Sequence, residues 1–222
     1  MIKACYSCLG AEGPPHQMVM LGLEGVGKTT LLYRLKIPTW KSIAQDMGRL
    51  RVQGDGKRLD PGYHYEEFHG RLKLRKYGIW DVPGNEVMVQ MWPTFYRYIR
   101  VTAVLFVVDG SDKSDQAKEK LSKARGLIDF LLNEDELRLA AFMIIINVHK
   151  EAGDQPVDKA HIRESIGAAL NVTHLLDQDS SKSRVRMLVL DCANVSVTDK
   201  EWKHLIEEIH RIYISVGAGS IL

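Results

Sequence analysis

Gly22-Leu23-Glu24-Gly25-Val26-Gly27-Lys28-Thr29 decides how this chain is read. The stretch fits the spacing G-x-x-x-x-G-K-[ST], and its setting matters as much as its letters. Before it, residues 17–23 are a short apolar run that reads as a strand; after it, residues 30–36 read as a helix, which Pro38 stops. Glycines let a backbone curl until successive N–H groups point at one anion, and a helix N-terminus adds partial positive charge. In such a loop Glu24, Gly25, Val26 and Gly27 surround nucleotide phosphates with their backbone, and Thr30 stands at the helix start beside them. Lys28 bridges the β- and γ-phosphates, and the Thr29 hydroxyl is a ligand for Mg2+. A glycine-rich turn with an exposed lysine explains the letters, but not strand, loop and helix in that order.

Beyond the loop, residues 37–62 have no clean period and carry Gly48, Gly54, Gly56, Pro61 and Gly62, which marks a long insertion. Residues 63–68 and 71–80 are β-rich and flank His69-Gly70, a hairpin pattern. Residues 102–109 (TAVLFVVD) and 141–147 (AFMIIIN) are continuous apolar runs, as central parallel strands buried on both faces require. Ala117, Leu121, Ala124, Ile128 and Leu131 fall at helical spacing between them, residues 187–190 read as another strand, and Trp202, Leu205, Ile206, Ile209 and Tyr213 stripe a final helix. Strand and helix alternate, so the expected fold is a doubly wound α/β sheet with its ligand at the carboxyl ends of the strands. One domain over residues 17–215 follows, with an N-terminal segment 1–16 and a tail 216–222.

At 222 residues the chain is long enough to bury a core without disulfides, and a hydrophobic share of 45% supplies one. A net charge of +2 makes a nucleic-acid partner a poor expectation. Three cysteines, Cys5, Cys8 and Cys192, are an odd number that suits a reducing, cytoplasmic setting. Ile2 excludes myristoylation of a glycine there, and the last residues hold no cysteine for prenylation, so neither lipid anchor is expected.

A second motif narrows the class. Trp80-Asp81-Val82-Pro83-Gly84 closes the second run of the hairpin. An acidic residue at a strand end can hold Mg2+, and the N–H of Gly84 can meet a γ-phosphate where no side chain would fit.

Here the chain resembles a known family. GLEGVGKTT at 22–30, WDVPG at 80–84, FVVD at 106–109 and EDEL at 134–137 are similar to the ADP-ribosylation-factor branch of the Ras superfamily of small GTPases. Cys192-Ala193, followed by Asn194, resembles that branch's base-contacting C-A-T segment, whose backbone N–H groups reach guanine O6. The resemblance implies a P-loop small-GTPase fold with a six-stranded, mostly parallel sheet and helices on both faces. It implies GTP or GDP with Mg2+ as ligands, and switch regions ordered by the γ-phosphate for a protein partner.

The chain departs from that pattern in three places. Where the family offers a switch threonine to Mg2+, this chain reads Asp60-Pro61-Gly62-Tyr63, with Gly62 near the threonine position; Thr39, in Ile37-Pro38-Thr39, is a replacement candidate or simply follows a helix-ending proline. Asn85 stands where a catalytic Gln orients the attacking water, one methylene short, so intrinsic GTP hydrolysis is expected to be slow or absent. The base-reading N-K-x-D motif becomes Asn147-Val148-His149-Lys150, and an ammonium cannot accept hydrogen bonds from guanine N1–H and N2–H. Glu151 or Asp154 would substitute only if the loop is rebuilt, and guanine selectivity is expected but weaker.

A narrower resemblance joins His149-Lys150, Gly153-Asp154 and Trp92-Pro93 to the Rab-like small GTPase of the intraflagellar transport particle. It implies a subunit docked on a coiled-coil pair in a flagellum or cilium. The other reading is a divergent hydrolytic switch in membrane or vesicle traffic, dependent on an activating protein. A nucleotide-dependent kinase shares the loop, but the W-D-V-P-G hairpin argues against it. Cys5-x-x-Cys8 lacks a second pair for a zinc site and a βαβ setting for a redox pair; it reads as two tail thiols, with palmitoylation as the alternative. The basic residues of 37–62 suit a solvated insertion or a partner contact, and Tyr96, Arg97, Tyr98 and Arg100 fall in the family's second switch helix.

Overall fold

A computed structural model describes residues 14–40, 42, 63–70, 76–111, 114–148, 158–176 and 183–218. The strands are β1 (His16–Leu21), β2 (His64–His69), β3 (Lys76–Asp81), β4 (Val101–Asp109), β5 (Ala141–Asn147) and β6 (Val185–Leu190). The helices are α1 (Lys28–Lys36), α2 (Glu86–Tyr96), α3 (Asp115–Leu132), α4 (Lys159–Ala169), the single turn α5 (Thr173–Leu176) and α6 (Lys200–Ala218), and a 3-10 turn covers Asp135–Leu137. The six strands form one sheet in the order β2-β3-β1-β4-β5-β6. Only β2 runs antiparallel to its neighbour, β3.

The apolar runs explain the layers. Side chains alternate across a strand, so a continuous run must bury both faces. Met18 and Met20 of β1, with Leu105 and Val107 of β4, pack against Leu31 and Leu35 of α1 and Trp202, Leu205 and Ile209 of α6. Val19 and Leu21, with Val104, Phe106 and Val108, pack on the other face against Trp92 and Tyr96 of α2 and Ile128 and Leu131 of α3. Every residue of β4 except Asp109 is buried. Polar ends on buried strands place Asp81, Asp109 and Asn147 along one rim, where Asp81 pairs in register with Met20 and Asp109 with Asn147.

The sequence does not mark α4 strongly. Only Gly167 of that helix is buried, while Ile162 and Ile166 lean on the core as a pair four residues apart. Asp158 caps the helix by accepting from the N–H groups of Ala160 and His161.

Candidate functional site

The loop between β1 and α1 curls through Gly25 (φ 84°) and Gly27 (φ 97°), both in the left-handed region. Gly25 is exposed, while Val26 is buried beneath the curl. Lys28 folds back along the loop, and its ammonium donates to the carbonyls of Gly22 (2.7 Å) and Leu23 (2.9 Å). It is 6% exposed, so its charge sits inside the loop where an anion would meet it undiluted by water.

The D-x-x-G segment lies directly on this loop. The N–H of Glu24 donates to the carbonyl of Gly84 at 3.1 Å. A Cβ at position 84 would overlap the Gly22 carbonyl and come within 2.9 Å of the Lys28 ammonium, so only glycine permits the approach. Thr29, at the start of α1, donates its hydroxyl to Asp81 Oδ2 at 2.6 Å, and both residues are buried. An alcohol oxygen and a carboxylate are hard donors that suit Mg2+, so Thr29 and Asp81 fit the role the sequence gave them. Thr30 follows, half-buried, on the same helical turn. Thr39 does not join them. It is exposed in the turn that the Trp40 N–H closes on the Ile37 carbonyl, at the other end of the nine-residue α1. That is roughly 13 Å along the helix axis.

The opposite end of the site is built around Asn147. Its Nδ2 donates to the Val26 carbonyl (3.0 Å), and its Oδ1 accepts from the N–H of Cys192 (3.1 Å). One side-chain amide thus ties the phosphate loop to the turn after β6. A Cβ on Gly27 would come within 2.5 Å of that Nδ2, which fixes glycine there for space as well as for φ. Ala193 donates its N–H to Asp191 Oδ1 at 3.1 Å, and Asn194 Nδ2 donates to Asp191 Oδ2 at 2.8 Å. Burial, then Asp191 and Asp109, push the Cys192 thiol up, so it stays protonated and inert. Sequence reasoning passed over Asp191, although its place at the end of an apolar strand was the available signal. His149 and Lys150, with Glu151 and Asp154, lie outside the described residues, as do Gly62, Cys5 and Cys8 and nearly all of residues 41–62.

Asn85 begins α2. Its Oδ1 accepts from the Met88 N–H at 2.9 Å as the helix N-cap. Trp92 is buried and donates its indole N–H to the Pro83 carbonyl (2.9 Å), so the helix is fastened to the D-x-x-G segment. Tyr96 is buried too and donates to Glu134 at 2.8 Å, while Arg97 pairs with Glu136 at 3.3 Å. The E-D-E-L turn is therefore the anchor of the far end of α2. Tyr98 stands 85% exposed. A small cavity of about 20 Å³ adjoins α3, lined by Leu23 and Val26 of the phosphate loop with Val107, Asp109, Lys120, Leu121 and Ala124.

Comparison with known proteins agrees with this construction. The profile described as "ADP-ribosylation factor family" matches residues 4–196. ADP-ribosylation factor D of Dictyostelium discoideum is 30% identical over 154 residues, which cover 68% of this chain and 58% of that protein. ADP-ribosylation factor-like protein 1 of Saccharomyces cerevisiae is 29% identical over 183 residues, 82% of this chain and 83% of that one. Among solved structures, the Arl6 BBS3 small GTPase from Trypanosoma brucei, with the bound nucleotide analogue GppNp, shares the fold. Its TM-score is 0.56 at 20% identity, covering 92% of this chain and 99% of that one. A phosphate loop locked to a D-x-x-G segment, a six-stranded sheet and a profile spanning most of the chain have one meaning: this protein belongs to the ADP-ribosylation factor family of Ras-superfamily small GTPases.

Proposed function

We propose that this chain works as a nucleotide-loaded binding module. GTP with Mg2+ holds its switch segments in shape for a protein partner, and turnover is slow. The observation that carries the reading is the capping bond of Asn85: the side chain at the water-orienting position serves the first turn of α2. Asn is also shorter than Gln, so a water held by it would stand off the line of attack. The fastening of α2 through Trp92 and Tyr96 suits a presenting surface. Val87 (72% exposed) and Met91 (45%) stand out from that helix, and Tyr63 packs edge-on against Phe95 at 4.5 Å, bridging β2's approach to α2. Lys28 and the loop amides bind the phosphates. Thr29 and Asp81 would hold Mg2+, which would supply countercharge to the phosphates.

Purified protein loaded with GTP and Mg2+ should release phosphate no faster than a Lys28→Ala control. Rapid release would overturn the reading in favour of a hydrolytic switch. Release only in cell extract, lost in Lys28→Ala, would assign the chemistry to an activating protein that supplies an arginine. For the partner, we propose a coiled-coil pair of a flagellar or ciliary transport particle, on the support of the narrower sequence resemblance. Tagged protein spread evenly through the cytoplasm of a flagellated cell, and absent from the flagellum, would remove that assignment.

A further inference from the structure

We propose that Asp191 sets the purine selectivity of the base end, by lowering the preference for a 6-oxo over a 6-amino purine. This rests on the nucleotide-binding reading above and goes past it, to a residue outside every motif of the site. The turn after β6 offers two N–H groups beside Asn147, and both already have acceptors. Cys192 donates to Asn147 Oδ1, and Ala193 donates to Asp191 Oδ1. The Asp191 carboxylate is fixed from several sides: its Oδ2 accepts from Asn194 Nδ2, and its own carbonyl accepts from the N–H groups of Asn194 (3.1 Å) and Val195 (2.9 Å). It is half-buried, so it remains open to a ligand.

The consequence follows from donor and acceptor counting. Guanine and hypoxanthine present an oxygen at position 6, which needs a donor. Here that oxygen must take the Ala193 N–H from a carboxylate and then lie beside that carboxylate, acceptor against acceptor. Adenine presents an amino group at the same position, and the carboxylate can accept from it. Asn147 holds Val26 with one Nδ2 hydrogen and Cys192 with one Oδ1 lone pair.

The test strips the full chain of nucleotide and titrates it with the Mg2+ complexes of GDP, IDP and ADP. The three share ribose and phosphates, so damage to the fold or to the phosphate loop moves them together. The readout is the ratio of affinities. In the wild type ADP should bind within about tenfold of GDP, and Asp191→Ala should widen the gap to about a hundredfold, with IDP following GDP. Asp191→Asn keeps an acceptor for Ala193 but drops the charge, and should fall between. A wild type that rejects ADP about a thousandfold would overturn the proposal. So would an Asp191→Ala variant that weakens GDP and ADP equally, or an Asp191→Asn variant that leaves the ratio unmoved. In those cases the nucleotide-binding reading stands; binding of none of the three nucleotides would overturn both.

Discussion

At the phosphate end, two adjacent strands deliver their loops into direct contact: Gly84 lies on Gly22, the Glu24 N–H holds the Gly84 carbonyl, and Thr29 holds Asp81. At the base end, β5 and β6 finish side by side, and the side-chain amide of Asn147 hydrogen-bonds both the phosphate loop and the turn after β6. The first end is made mainly of backbone, where substitution is blocked by space. The second depends on side chains such as Asn147 and Asp191, at strand ends where a substitution disturbs no strand. A phosphate looks the same on every nucleotide, whereas a base is read by donors and acceptors. A site of this construction can keep its grip on phosphates while its reading of the base drifts.

The largest effect should come from Gly84→Ala. The added carbon meets the Gly22 carbonyl, which is backbone and cannot rotate away. Displacing the D-x-x-G segment should cost about 3 kcal/mol, at the upper end for overpacking. GDP and ADP should weaken together by about a hundredfold in a titration. A change in their ratio would break the division between the ends.

Asn147→Ala comes next. It leaves the Val26 carbonyl and the Cys192 N–H without their partner. The loss should be about 2 kcal/mol of stability, seen as a fall in Tm of about 4–8 °C. An unchanged Tm would mean that the two loops hold each other without this amide.

What the sequence made legible follows the same division. The runs at 102–109 and 141–147 announced buried strands because a two-faced core needs unbroken apolar stretches, and β4 and β5 fall on them. Gly22, Lys28, Thr29, Asp81 and Gly84 were legible because phosphate loops constrain residue type and spacing together. Asp191 was not: its place at a strand end is a signal without period, and its partners are one main-chain N–H, of Ala193, and the side-chain amide of Asn194. The capping bond of Asn85 was hidden for a related reason: Asn is a good N-cap, but its letter was read against the catalytic Gln. Trp92 and Tyr96 sit on the apolar side of a helix whose other face carries the exposed Val87 and Met91, so hydrophobicity alone did not separate the packed face from the presented one.

The smallest expected effect lies away from both ends and serves as their control. His16 opens β1 at the strand end opposite the loops, where it meets the ring of Tyr213 edge-on at 5.2 Å and the Thr102 hydroxyl at 3.4 Å. Burial, then the positive fields of His210 and Arg100, lower its pKa from 6.5. A histidine whose folded pKa is depressed binds its proton more readily when unfolded. Its neutral form therefore costs nothing above about pH 6.5, and stability is lost as the pH falls from there through the lowered folded value. The wild-type Tm should drop between pH 7.5 and 5.5, and His16→Gln, which cannot titrate, should drop less. The gap should open only below about pH 6.5. Because the strand separates His16 from the loops, the ratio of GDP to ADP affinity should be the same in both proteins at pH 7.5. A ratio that moved with His16 would mean that β1 transmits strain from one end of the strand to the other, and that the two ends of the site are not independent after all.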